Sequence, residues 1–215
     1  MMLLALAKDA MAGDRATRSG DFAWRDRRTA SDVAGKSALI MGFGRIGQRV
    51  GALCRALGLR VAAFDPYMER SPVEGVEMVK DFRAILPETD FLCLHLPSTP
   101  ETRDLIGAGE LALLKRGAFV LNCARGGIVD EDVLCDALES GHLGGAGLDV
   151  FAKEPPDTAH RLFRQEKVLL SPHNAALTEE CAIRMATQAV QNVLDCLDGK
   201  LQPRVVMNRR EIGMA

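Results

Sequence analysis

The 215-residue chain is predicted to fold as a doubly wound α/β domain, a parallel sheet with flanking helices, on three observations. Six short apolar runs have the look of strands buried on both faces. Helix-forming stretches separate them, which argues for parallel βαβ units. A glycine-rich turn lies between the first run and the first of those helices.

In chain order, Leu3, Leu6, Ala7, Ala10 and Met11 share one helical face, so a single amphipathic helix is expected at the start. Residues 13–28 are polar and Arg-rich around the single Trp24 and read as an irregular linker. The apolar runs are Ser37–Met41, Arg60–Phe64 and residues 90–96, 118–122, 145–149 and 167–171. Helices are expected over 46–57, 109–114 and 130–140. Residues 177–197 read as one long helix with Thr178 as its cap, Glu179 and Glu180 in its first turn, and Gly199 and Pro203 as its stop. Val205-Val206-Met207 has the composition of one short strand, for which no partner strand is visible.

Composition narrows the function classes. With 27 Lys and Arg against 29 Asp and Glu, the formal net charge is −2. That balance offers no general field for phosphate backbones or anionic lipid, so neither nucleic acid nor a membrane is expected as a partner. The apolar runs fall well short of the roughly 20 residues that a bilayer span needs. Met1 to Ala7 is apolar, but no basic residue precedes it and Lys8 and Asp9 cut it off, so no secretion signal is read. Cys54, Cys93, Cys123, Cys135, Cys181 and Cys196 are scattered through apolar segments without metal-like spacing. They read as reduced core residues of a cytoplasmic protein that holds no metal.

The chemistry starts at Gly42-Phe43-Gly44-Arg45-Ile46-Gly47, which follows a strand and opens a helix. In that setting Gly42 allows a tight turn, Gly44 lets backbone approach a pyrophosphate and Gly47 lets helix and strand pack closely. Backbone groups of Arg45 and Ile46 are then expected to touch phosphate at the helix start. The next strand ends at Asp65, whose carboxylate can take the adenosine ribose hydroxyls and repel a 2'-phosphate, so the expected cofactor is NAD rather than NADP. A flavin or S-adenosylmethionine could use a similar turn, so the reaction has to be read from later residues.

Those later residues lie at the expected carboxyl ends of strands: Asn122-Cys-Ala-Arg125-Gly-Gly-Ile-Val-Asp130, Gly147-Leu-Asp149-Val-Phe151, Glu154-Pro-Pro156 and Ser171-Pro-His173-Asn-Ala-Ala-Leu-Thr178. Taken singly, Arg125 could close a surface loop, Glu154 could be a solvated carboxylate and His173 could bond to backbone. Together with the glycine turn and Leu94-His-Leu-Pro-Ser-Thr-Pro100, the set resembles the D-isomer-specific 2-hydroxyacid dehydrogenases, nearest the branch of phosphoglycerate dehydrogenase and hydroxypyruvate reductase. The resemblance runs from about Trp24 to Leu197.

It implies a Rossmann-like NAD-binding domain and hydride transfer between NAD(H) and a small 2-hydroxy or 2-keto acid. Arg125 would hold the substrate's carboxylate and carbonyl, His173 would be the general acid-base, and Glu154 would fix the imidazole tautomer. Asp149 would face the nicotinamide carboxamide, while Pro97, Thr102, Cys123 and Ala124 match loops that line the cofactor. A homodimer formed through the cofactor domain is the implied assembly. His95 could lie close to cofactor but fits a structural role, and His142 and His160 read as loop or surface residues. The stretch Asn174-Ala175-Ala176 departs from the pattern, since many relatives have glycine there.

The resemblance divides the chain into an approach helix and linker (1–30), the NAD-binding domain (31–177) and a returning helix and tail of a substrate domain (178–215). Most of that substrate domain has no counterpart in the sequence. The chain therefore reads as a truncated product, a gene model started late or a free-standing cofactor domain, expected to bind NADH but to reduce 2-keto acids poorly. The apolar faces of Leu3 and Leu6 and of residues 177–197 are expected to fray or to pair with another copy. The alternative function is a non-catalytic NAD-binding module; a methyltransferase would have no use for the Arg125, Glu154 and His173 set.

Overall fold

In the computed structural model, which describes residues 1–27, 30–209 and 211–213, the apolar runs become strands of one sheet. These are β1 (Ser37–Met41), β2 (Arg60–Phe64), β3 (Val76–Met78), β4 (Phe91–Leu94), β5 (Phe119–Asn122), β6 (Gly145–Leu148) and β7 (Val168–Leu170). Their order is β3-β2-β1-β4-β5-β6-β7, and all neighbours are parallel. β4, β5 and β6 are buried almost throughout, as is β1 beyond Ser37, and that is why they read as continuous apolar runs rather than alternating ones. The chain runs outward from β1 through β2 to β3 and then crosses back to β4 on the other side of β1. This reversal is the fold's switch point and opens a crevice beyond the carboxyl ends of β1 and β4.

Strand alternation sends side chains to two cores. Leu39, Met41, Leu92, Leu94 and Val120 face one side, where Leu134, Cys135 and Leu138 cover them from α5 (Glu131–Glu139). Ala38, Ile40, Phe91, Cys93 and Leu121 face the other, packing with Cys54 of α3 (Arg45–Ala56). At the opposite end of the strands from the crevice, the mostly buried Asp90 joins β1 to β4. It accepts the Ser37 N–H at 2.9 Å and pairs with Lys115 at 2.8 Å.

The start of the chain differs from expectation. Instead of one helix, α1 (Met2–Ala7) and α2 (Ala10–Arg18) meet at Asp9, whose φ of 49° breaks the helical path. Met2, Leu3 and Ala7 are buried against the sheet rather than frayed, because Gly147 leaves room: a Cβ there would lie 3.1 Å from Met2. The expected irregular linker is helical through Arg18, since its Ala and Arg content suits a helix until Gly20 (φ 80°) ends it. A 3-10 turn, Phe22–Asp26, follows, and Arg28, the last residue of that stretch, lies outside the described residues.

Other elements fall within a residue or two of their expected ends, and α4 (Ala108–Leu113) stands where a short helix is predicted. β3 adds a strand to the six expected: its three residues, Val76-Glu77-Met78, are too short to show a period. The tail forms a 3-10 turn, Pro203–Val205, in place of the expected strand; proline fixes the local φ and no strand edge pairs with it among the described residues.

By internal contacts the chain divides into Met1–His173 and Asn174–Ala215. Within the second unit, α6 (Glu179–Leu197) begins as the sequence predicts, with the Thr178 hydroxyl accepting the Cys181 N–H at 3.1 Å. Gly199, at φ 70°, follows its end. Arg210, Met214 and Ala215 of the expected returning segment lie outside the described residues.

Candidate active site

The glycine turn is shaped by strands on both sides. The Gly42 N–H donates to the Phe64 carbonyl at 2.8 Å, and at φ 86° its missing Cβ would lie 2.5 Å from the His95 carbonyl oxygen. A Cβ on Gly47 would lie 2.1 Å from the Gly42 carbonyl oxygen, so the helix can approach the turn only with glycine there. Gly44 is different: nothing lies within 4 Å of its Cβ position, which leaves the space in front of α3 open.

The α3 start also carries no side-chain cap and no acidic residue in its first turn, whereas α5 and α6 are capped by Asp130 and Thr178. The first N–H groups of a helix have no partner within it. Those of Arg45, Ile46 and Gly47 are such groups, at the positive end of the helix dipole. Open space over Gly44 and an uncapped α3 start fit a bound pyrophosphate.

Asp65, immediately after β2, has a double attachment with no signature in the sequence. One carboxylate oxygen accepts the Phe43 N–H at 2.8 Å and the other accepts the Tyr67 N–H at 3.0 Å. It pins the glycine turn from outside and stands at the rim of the crevice. Beyond β4, the Thr102 hydroxyl donates to the Pro97 carbonyl at 2.7 Å and accepts the Thr99 N–H at 2.8 Å, closing that loop on itself. Burial pushes the neighbouring His95 imidazole down to a pKa of about 4, so it is neutral at physiological pH.

Beyond β5, the buried Asn122 folds the next loop with both ends of its amide. Its Nδ2 donates to the Arg125 carbonyl at 2.9 Å and its Oδ1 accepts the Ala124 N–H at 3.1 Å. This buries Ala124 and turns Arg125 outward, with one guanidinium bond to the Ala124 carbonyl at 2.6 Å. The Cys123 thiol lies 3.7 Å from the Met2 sulfur, and burial, with the Asp149 carboxylate next in weight, pushes its pKa up. Gly126 is wedged against the next loop: a Cβ would lie 1.7 Å from the Phe151 carbonyl oxygen. Glu131, in the first turn of α5, accepts the Ala152 N–H at 2.6 Å and fastens the same two loops.

Asp149 follows β6 and is 1% exposed. Its N–H donates to the Asn122 carbonyl at 3.0 Å and its Oδ1 accepts the Ser171 hydroxyl. Glu154 bridges two groups, one oxygen accepting the Phe151 N–H at 3.0 Å and the other lying 2.7 Å from His173 Nδ1. The bond to His173, and then the one from Phe151, holds the Glu154 carboxyl below the usual carboxylate range. His173 sits at φ 51° with its N–H on the Ser171 carbonyl at 3.1 Å. With Nδ1–H donated to a carboxylate, Nε2 is the ring atom left to exchange a proton.

All the expected site residues of the first unit thus lie at the carboxyl edge of the sheet. Glu154 and His173 are in direct contact; Arg125 bonds to neither of them. His160 plays a local part instead, accepting the Leu162 N–H at 3.2 Å and meeting Asp132 at 3.2 Å. Ser171, Asn122 and Glu131 have no role that the sequence predicts, their one signal being a polar residue at a strand end or a helix start. Among the described residues no cluster of His, Cys, Asp and Glu is arranged to hold a metal, and no helix is long and apolar enough to cross a membrane.

The family described as "D-isomer specific 2-hydroxyacid dehydrogenase, NAD binding domain" matches residues 1–175. D-3-phosphoglycerate dehydrogenase of Methanocaldococcus jannaschii is 36% identical over 207 residues, covering 95% of this chain and 39% of that protein. Glyoxylate reductase of Aeropyrum pernix is 37% identical, with 95% and 63% covered. Among solved structures, D-lactate dehydrogenase from Aquifex aeolicus, in complex with NAD and lactic acid, superposes with a TM-score of 0.85 at 28% identity, covering 93% of this chain and 65% of that one. The chain spans about two fifths of the length of the curated phosphoglycerate dehydrogenases it matches.

Proposed function

The chain belongs to the D-isomer specific 2-hydroxyacid dehydrogenase family, whose NAD binding domain it matches, and from that premise we propose that it serves hydride transfer between NAD(H) and a small 2-hydroxy or 2-keto acid. The observation that carries the reading is the 2.7 Å contact of His173 with Glu154, set at the same sheet edge as Arg125 and an open, uncapped glycine turn.

In this reading the Arg45, Ile46 and Gly47 amides hold the pyrophosphate, and Asp65 takes the ribose hydroxyls while repelling a 2'-phosphate. Pro97, Thr102, Cys123 and Ala124 line the pocket, and Asp149 orients the nicotinamide carboxamide. When bound, NAD(H) supplies or takes up the hydride. Arg125 grips the acid's carboxylate and its carbonyl oxygen, a planar pair that a guanidinium fork matches and a point charge does not. As the carbonyl carbon is reduced, negative charge gathers on its oxygen, and His173 Nε2 delivers the proton that completes the hydroxyl. In oxidation the same nitrogen removes that proton. Glu154, kept ionised by its two hydrogen bonds, fixes the tautomer and stabilises the imidazolium.

The reading takes residues 31–177 as the NAD-binding domain, led into by 1–30 and followed by 178–215. It also takes the protein to be a cytoplasmic homodimer. Six unbridged cysteines support a reducing compartment, and the exposed Ile46, Leu53 and Leu57 of the α3 region supply apolar surface for a second copy.

The test is single-turnover NADH oxidation with glyoxylate, pyruvate and hydroxypyruvate. Slow oxidation that depends on a keto acid and is lost in His173→Asn is the expected outcome. NADH binding without oxidation by any of the three would leave the non-catalytic module as the function.

A further inference from the structure

Two residues of the proposed site are bonded to one that the proposed mechanism does not use. Asp149 stands after β6 with its carboxylate buried, and His173 stands after β7 in a left-handed backbone conformation, φ 51°, that few residues other than glycine adopt. Ser171 contacts both. Its hydroxyl donates to Asp149 Oδ1 and its carbonyl accepts the His173 N–H at 3.1 Å. Ser171 is itself fixed to the sheet, its N–H donating to the Leu148 carbonyl at 2.9 Å, so both bonds start from a backbone anchored between β6 and β7.

We propose that Ser171 is a positioning residue for the nicotinamide end of the site, its hydroxyl setting the orientation in which Asp149 receives the carboxamide. The inference rests on the reading of Asp149 given above and deepens it. A carboxylate has two equivalent oxygens, and a neutral hydroxyl donor engages one of them without cancelling the charge. The backbone bond to His173 survives any substitution at Ser171, whereas the bond to Asp149 goes with the hydroxyl. Removing the hydroxyl therefore takes away one of the bonds that orient Asp149 while leaving the His173 main chain held.

The consequence is selective. ADP-ribose carries every part of NADH that the α3 turn and Asp65 hold, but lacks the nicotinamide. Ser171→Ala is expected to raise the NADH dissociation constant about ten-fold, the scale of a lost hydrogen bond to a charged group, and to leave ADP-ribose binding within about two-fold, since none of its contacts changes. Ser171→Thr keeps the hydroxyl and is expected to bind both ligands as the unsubstituted chain does.

The experiment is a calorimetric titration of NADH and of ADP-ribose into the unsubstituted chain, Ser171→Ala and Ser171→Thr, each with its melting temperature. Weakening confined to NADH in Ser171→Ala, with recovery in Ser171→Thr, is the result expected. Equal weakening of both ligands would show a merely structural role, and no weakening of either would show that the hydroxyl does not matter; each overturns the proposal. If Ser171→Ala does not fold, Ser171→Cys, close in size but a weak donor, is read by the same criterion. An unsubstituted chain that binds ADP-ribose but gains nothing from the nicotinamide overturns the reading of Asp149 and this inference with it. A chain that binds neither ligand overturns the cofactor reading itself.

Discussion

His173 Nδ1 lies 2.7 Å from one carboxylate oxygen of Glu154, whose other oxygen accepts the Phe151 N–H at 3.0 Å. The imidazole is thus aimed by a carboxylate that is itself aimed by the main chain. Because the two bonds hold the Glu154 carboxyl below its ordinary range, the pair persists well into the acid side of neutrality and is lost only as the pH falls through that lowered value.

In a version of the chain completed with a substrate domain, His173→Asn should slow hydride transfer to a 2-keto acid by roughly two to four orders of magnitude, since the amide cannot exchange a proton at neutral pH. NADH affinity should stay within a few-fold, because the imidazole is remote from the α3 turn. Glu154→Gln keeps a hydrogen-bond acceptor but removes the charge that favours the imidazolium, and should cost less than His173→Asn. Single-turnover rates of the two variants, read beside their NADH titrations, check the order.

Two glycines separate folding from binding. Gly126→Ala drives a Cβ to within 1.7 Å of the Phe151 carbonyl oxygen, so the loops of Arg125 and Glu154 must part. A loss of about 3 kcal/mol is expected, lowering the melting temperature by roughly 10 °C. Gly44→Ala meets nothing within 4 Å and should melt within about 3 °C of the unsubstituted chain. Its methyl occupies the space proposed for the pyrophosphate, so NADH binding should weaken at least about ten-fold, or roughly 1.4 kcal/mol. Paired melting and titration curves give both answers.

His95 should make the fold acid-sensitive. Burial lowers its pKa from 6.5 to about 4, so between those values the unfolded chain binds a proton that the folded chain refuses. Stability then rises with pH across that window and falls on acidification through it, by on the order of 3 kcal/mol in full. His95→Asn removes this contribution. Melting temperatures at pH 7 and pH 4.5 should therefore converge in the variant relative to the unsubstituted chain; an equal drop in both would show that His95 is not the sensitive group.

Much of the fold is legible in the sequence because the central strands are buried on both faces, and a run such as Ala38-Leu39-Ile40-Met41 suits little besides a strand covered from both sides. The Thr178 cap and the glycine turn are legible for the same kind of reason, each being a local rule with a local signature. What escapes depends on distant partners. The break at Asp9 follows from α1 docking on the sheet at Gly147, and nothing near Asp9 announces it. Asp65 can be read as a ribose ligand, but its bond to the Phe43 N–H joins residues 22 positions apart. Ser171, Asn122 and Glu131 act on loops from other strands, so their roles emerge only when β5, β6 and β7 lie side by side.

The central claim is that the carboxyl edge of the sheet holds NAD(H) and that Asp65 selects it, and the measurement that tests this most directly is a fluorescence titration of the chain with NADH and with NADPH. Saturable NADH binding, with NADPH weaker by about ten-fold or more, is expected if the Asp65 carboxylate stands at the ribose as proposed, since it would repel a 2'-phosphate. Asp65→Asn should narrow that ratio while also weakening NADH somewhat, since one amide oxygen cannot replace both bonds to Phe43 and Tyr67. Saturable binding of neither nucleotide, or a preference for NADPH that Asp65→Asn leaves untouched, would contradict the claim.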